Sequence, residues 1–163
     1  LIEPNSQLNL LYHSSNFKNF LIRVLDIKNI FPYTDTLSSI NYNYYQNEQQ
    51  LGWHFDNASF AITLMIQPPE DGGDFEYLKD VRDTDAGDMN YPLSQKILNG
   101  EMPPEKLSMD AGSLVLFRGR NSMHRVTPVK GSQTRMLVVL AYNTEPGISL
   151  SESARLTFYG RLG

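Results

Sequence analysis

A mainly β domain, a twisted sandwich or open barrel with helices on one side, is the fold class that the sequence predicts. Three observations predict it. The segment "SINYNYYQ", Ser39 to Gln46, alternates, with Ile40, Tyr42 and Tyr44 on one face and Asn41, Asn43 and Tyr45 on the other. Towards the end, the β-rich runs "GSLVLFR", "MHRVTPV" and "RMLVVLAYN" follow one another, separated by the turn-like "GRNS" and "KGSQT". The helical signal comes first: in "SSNFKNFLIRVLDI", Ser14 or Ser15 is placed to cap a helix whose Phe17, Phe20, Leu21, Val24 and Leu25 recur at helical spacing.

Between these markers the remaining elements fall into place. One strand is expected on "GWHFD" and another on "SFAITLMIQ", which Pro68 and Pro69 terminate. The Gly72-Gly73 turn leads into "DFEYL", and a short helix over Pro92 to Leu98 presents Leu93, Ile97 and Leu98 on one face. The stretch 67–111 separates the strand after His54 from the one leading to His124, and a connection of that length is expected to be a lid. With 163 residues, 40% hydrophobic and 20% charged, the chain is expected to form a single domain over 1–163. No apolar run reaches the length needed to cross a bilayer, and no signal peptide is visible, so a cytoplasmic location is the expectation.

Composition also limits the chemistry. Without cysteine there are no thiolate metal sites, and histidine and carboxylate oxygen remain as the ligand types. A net charge of −4 gives no electrostatic footprint for nucleic acid. The chain has three histidines, and one of them stands in "LGWHFDNASF", two positions before an aspartate. On a strand, residues i and i+2 share a face with Cα atoms roughly 6.6 Å apart, so His54 and Asp56 can converge on one ion. His13, just before the helix cap, suits a surface or capping role. His124, which begins a strand after a tight turn, suits the mouth of a barrel. Two histidines and a carboxylate form the facial triad of non-haem iron(II) sites, although a His-x-Asp pair alone also arises by chance. Arg135 adds a third element: a cation opening the otherwise apolar "RMLVVLA" needs an anion if it is buried, and a carboxylate matches its planar fork.

Taken together, His54-x-Asp56, His124 sixty-eight residues later, Arg135 eleven residues beyond that, and the preceding "GSLVLF" resemble the iron(II)- and 2-oxoglutarate-dependent oxygenases over roughly Ser39 to Asn143. The resemblance implies a double-stranded β-helix (jelly roll) with a supporting N-terminal helix and a long insertion. It implies Fe(II) on His54, Asp56 and His124, 2-oxoglutarate and O2 as cosubstrates, and Arg135 on the distal carboxylate of 2-oxoglutarate. Tyr45 matches a tyrosine that contacts the cosubstrate in prolyl-hydroxylase-like members. The implied activity is hydroxylation of a C–H bond in a small substrate, amino acids included, with release of succinate and CO2. The chain is also similar to a bacterial branch that contains both hydroxylases and halogenases of amino acids. Halogenases of that branch lack the acid of His-x-Asp and place a halide there, so Asp56 argues for hydroxylation.

Other readings stay open beside this one. A radical halogenase is the nearest rival, and a non-catalytic barrel binding a small acid would keep Arg135 without needing iron. A cupin-type metalloenzyme would normally carry more histidines than this chain has. On substrate choice, Glu70 to Asn90 holds eight acids against Lys79 and Arg82, a local balance of −6. Such a run is commonly a solvated loop. If it lies over the site, it is expected to favour a basic amino acid, with Arg118 and Arg120 meeting the substrate carboxylate.

Overall fold

The computed structural model describes residues 2–162. Two helices open the chain, α1 (Gln7–His13) and α2 (Ser15–Leu25), followed by strands β1 (Phe31–Pro32), β2 (Ile40–Tyr45), β3 (Leu51–His54), β4 (Phe60–Gln67), β5 (Asp71–Gly72) and β6 (Phe75–Leu78). Then come α3 (Tyr91–Leu98), β7 (Glu105–Leu107), β8 (Leu114–Phe117), β9 (Met123–Val126), β10 (Val129–Lys130), β11 (Arg135–Asn143) and α4 (Glu152–Tyr159).

Ser14 caps α2, its hydroxyl accepting from the Phe17 amide at 3.3 Å, which satisfies one of the free donors of the first turn. The strands form antiparallel sheets, the largest in the order β1-β11-β4-β8 with β2 also alongside β11. A second sheet runs β3-β9-β6-β7, and β10 pairs with β5. This is a jelly roll, the fold that the resemblance implies.

Period-two alternation along β11 sends its residues to two different places. Val138, Leu140 and Tyr142 enter the main core with Ile40, Phe60, Ile62, Tyr12 and Leu21, beneath the two N-terminal helices. Leu137, Val139 and Ala141 face the opposite way and line a cavity between the sheets. The same alternation gives β2 its inward Asn41, Asn43 and Tyr45 and its exposed Tyr42 and Tyr44.

The stretch 67–111 is not a structureless connection. It contains β5, β6, α3 and β7, and β6 is an interior strand of the second sheet, pairing Tyr77 with His124. Helix α3 packs Ile97 against Val81 and Met123, with Trp53 and Phe55 at the edge of that cluster. From this stretch only Phe75 and Met109 line the cavity. Among the described residues no helix is long and apolar enough to cross a membrane.

Candidate metal and cosubstrate site

His54 ends β3 and pairs across the ladder with His124 on β9, which brings the two imidazoles to 4.1 Å between ring centroids. Asp56 lies just beyond β3 rather than on it, so the strand spacing expected for the pair is only half realised. A backbone bond from its amide to the Gly119 carbonyl, 3.0 Å, turns the carboxylate towards both rings. Asp56 Oδ1 stands 3.8 Å from His54 Nε2 and 3.5 Å from His124 Nε2. Each of the three side chains offers one ligand atom, and those atoms lie within 4.8 Å of one another. The two Asp56–imidazole separations, 3.8 and 3.5 Å, are longer than hydrogen bonds and short enough for both atoms of each pair to sit about 2.0–2.2 Å from one ion.

The protonation pattern also suits a metal. Nδ1 of His54 lies 2.8 Å from the Gly52 carbonyl and Nδ1 of His124 lies 3.0 Å from the Ser122 carbonyl. A carbonyl accepts only, so each Nδ1 carries the proton and each Nε2 presents its lone pair to the site. Burial, followed by the neighbouring His124, lowers the pKa of His54 and favours the neutral ligand form. Asp56 Oδ2 is buried without a hydrogen-bond partner, an arrangement that burial of a carboxylate makes costly unless a cation or donor meets it.

Arg135 opens β11 directly opposite Tyr45 on β2, and it is 1% exposed. Its Nε and Nη1 have no hydrogen-bond partner. The guanidinium carbon lies 5.5 Å from the centre of the Tyr45 ring, and both side chains line the same cavity as the triad. Burial lowers the pKa of Arg135, while Tyr45 and Asp74 act in the opposite direction. Burial raises the pKa of Tyr45, against the pull of Arg135, so its hydroxyl remains a donor. Gly73, in the left-handed region at φ +62°, leaves room for Arg135, because a Cβ there would come within 2.9 Å of its Cδ. A buried cation with free N–H groups is a receptor for a carboxylate.

The cavity has a volume of about 440 Å³ and joins the Arg135 end to the triad. Its donor set of two imidazoles, one carboxylate and a separate buried guanidinium fits an iron(II) ion with an anionic cosubstrate.

Residues 2–156 match the model of the family described as Halogenase D. The chain belongs to the halogenase D family. No curated protein matches it. Among solved structures, a 2OG-Fe(II) oxygenase family oxidoreductase from Burkholderia pseudomallei is similar to this family member, with TM-score 0.65 and 15% identity. The match covers 90% of this chain and 59% of that one, so the halogenase D family member spans less than two thirds of the oxidoreductase. The CENP-C cupin domain of Drosophila melanogaster aligns more distantly, at TM-score 0.44 and 10% identity over 69% of this chain and 68% of that domain. The similarity to the Burkholderia pseudomallei oxidoreductase supports the jelly roll as the fold of this chain.

Within this halogenase D family member the other arginines are placed elsewhere. Arg118 donates to the Leu25 carbonyl at 2.9 Å and lies over Phe60, on the helical side of the sheet. Arg120 donates to Thr84 Oγ1 at 3.1 Å, and Arg125 is paired with Glu76 at 2.7 Å. None of the three lines the cavity, so the structure does not bear out a substrate carboxylate inside it on Arg118 or Arg120. His13 is exposed at the end of α1, with its ring edge-on to Tyr12, and takes no part in the site. Sequence reasoning missed Gly119, Ser38 and Tyr159. A Cβ at Gly119 would run into the Asp56 carboxylate, a close approach that the glycine in "FRGRN" signalled only weakly.

Proposed function

We propose that this protein is an Fe(II)- and 2-oxoglutarate-dependent oxygenase that hydroxylates a C–H bond of a small molecule. One C–H bond, one O2 and one 2-oxoglutarate would become C–OH, succinate and CO2. The observation that carries the reading is the single cavity shared by the His54, Asp56, His124 cluster and the partnerless buried guanidinium of Arg135. Bound iron supplies activation of O2 coupled to oxidative decarboxylation of the cosubstrate.

The chain's own residues do the rest. His54 and His124 present Nε2, and their backbone-bonded Nδ1 atoms fix each ring. Asp56 supplies the anionic ligand and is steered by the Gly119 backbone. Arg135 would hold the distal carboxylate with its planar fork while Tyr45 donates beside it. Phe75 and Phe117 flank His124, with ring centroids 5.4 Å and 4.8 Å away, and keep bulk water from that ligand.

Halogenation is the second reading, and the family model favours it. Against it stands Asp56, whose carboxylate fills the position that a halide needs. The test is anaerobic calorimetry with Fe(II) and 2-oxoglutarate, followed by O2 and assays for succinate and for product mass in chloride buffer. Oxygen added to the product supports hydroxylation, and chlorine added supports the second reading. Undiminished Fe(II) binding by protein carrying both His54→Ala and His124→Ala would falsify the metal assignment.

A further inference from the structure

We propose that residues 144–160, which follow the last strand, are a lid over the mouth of the cavity, hinged at the Pro146-Gly147 turn and latched to the segment from Thr34 to Asn41. The stretch 67–111 cannot serve in this way, because β6 and β7 are woven into the second sheet and would break it by moving. Residues 144–160 are tied into neither sheet.

Position comes first. Two side chains of this segment, Leu150 and Tyr159, line the cavity. Leu150 packs against Tyr33, Ala58 and Ala141, and Ala58 belongs to the turn that carries Asp56. Tyr159 reaches β2, where its hydroxyl donates to Asn41 Oδ1 at 2.9 Å. The segment therefore crosses the mouth from the Asp56 turn to β2.

Little apolar surface holds it there. Thr144 to Ser149 are exposed, and no described side chain of α4 is buried, whereas α1, α2 and α3 bury Tyr12, Leu21 and Ile97. A helix of eight residues is too short to be stable in water by itself. No strand of either sheet pairs with the segment, so both sheets stay whole when it leaves. At the hinge, Gly147 has φ +77° and nothing within 4 Å of where a Cβ would stand, so the turn rotates without meeting a neighbour.

The fastenings are polar. The Ile148 carbonyl accepts from the Thr34 amide at 2.9 Å and from the Thr34 hydroxyl at 2.7 Å, and the Leu150 amide donates to Asp35 Oδ2 at 2.9 Å. Ser38 occupies the other oxygen of Asp35 through its amide and hydroxyl, at 2.9 Å and 2.6 Å, which fixes the acceptor that Leu150 meets. Burial acts to raise the pKa of Asp35, but the bonds from Ser38 and Leu150, with the positive charge of Arg155 on α4, hold it below the usual carboxylate range. A segment held by a few bonds at the surface opens locally, well below the cost of global unfolding. Opened, it uncovers the cavity; closed, it keeps water from the contents.

Hydrogen exchange read by mass spectrometry tests the opening in the protein without ligands. Amides of residues 150–160 should exchange at least about a hundredfold faster than those of β11. Tyr159→Phe, which removes only the bond to Asn41, and Asp35→Ala should each quicken exchange in the segment by about threefold to tenfold and leave β11 unchanged. Should Asp35→Ala unfold, Tyr159→Phe carries the test. Gating is read by stopped-flow binding and release of 2-oxoglutarate on protein loaded with manganese(II), and this measurement alone rests on the oxygenase reading. On and off rates should rise together in the variants while Kd stays within about twofold, because a gate changes access and a ligand contact changes the off rate. Exchange in 150–160 as slow as in β11 overturns the proposal, and so does exchange indifferent to the variants. Variants that quicken exchange but leave both rates unchanged, or alter the off rate alone, overturn it as well. Failure of manganese(II) or 2-oxoglutarate to bind the parent would instead remove the oxygenase reading, and the exchange measurement would still decide whether the segment opens.

Discussion

At Gly119 a hydrogen stands where any other residue would drive a carbon into the Asp56 carboxylate. The same residue's carbonyl holds the Asp56 amide at 3.0 Å, so one backbone unit both steers the acid and makes room for it. Gly119→Ala should therefore displace Asp56 and weaken Fe(II) binding by about tenfold or more, while the rest of the jelly roll stays intact by circular dichroism. Unchanged Fe(II) affinity in that variant would mean that Asp56 is free to move aside or is not a ligand. Arg135→Lys tests the other end of the cavity. Lysine keeps the charge but loses the fork, so 2-oxoglutarate affinity should drop about tenfold with Fe(II) binding preserved. Both ends were unequally legible in the sequence. His54, Asp56, His124 and Arg135 stand at telling intervals, whereas the role of Gly119 exists only once distant strands are brought together.

Helix α1 is fastened to the sheet by two tyrosines that exchange hydrogen bonds. Tyr12 donates to the Ala141 carbonyl at 2.6 Å and accepts from the Tyr33 amide at 3.0 Å, while Tyr142 donates to the Tyr12 carbonyl at 2.7 Å. Both rings are fully buried, with centroids 4.6 Å apart, and burial raises both phenol pKa values well above the ordinary range. Tyr12→Phe keeps the packing but leaves the Tyr33 amide without its acceptor, at a cost of about 2 kcal/mol. For a domain of this size that lowers Tm by roughly 5 °C, measurable by calorimetry, and no change in Tm would show that water replaces the hydroxyl. The helix itself was not anticipated, because "QLNLLYH" is too short to display a period and its cap, Ser6, looks like any loop serine. In contrast, α2, β2, β4, β8, β9 and β11 were legible from alternation or helical spacing. Strand β6 was partly hidden by charge: it lies inside the acidic run, and Glu76 pairs with Arg125 across the ladder, a pairing that sequence spacing cannot reveal.

For the whole molecule, the decisive arrangement is that the site's two halves belong to different sheets. His54 and His124 stand on the sheet built from β3, β9, β6 and β7, while Arg135 and Tyr45 stand on the sheet built around β11. Under the proposed function a single cosubstrate reaches from Arg135 to the metal ligands, so its binding ties the two layers together and depends on the ion already in place. Manganese(II), used without turnover, is a suitable stand-in for the ion. A ligand held at a hundred times its dissociation constant stabilises the folded state by about 2.7 kcal/mol, which for a chain of this length raises Tm by roughly 5–10 °C. Manganese(II) and 2-oxoglutarate together should then raise Tm by more than the sum of their separate effects. His124→Ala should abolish both increments, and Arg135→Ala should remove the 2-oxoglutarate increment while leaving that of the metal. Strictly additive shifts would show that the two ligands bind apart, and the buried guanidinium of Arg135 would then answer to an anion that never meets the triad.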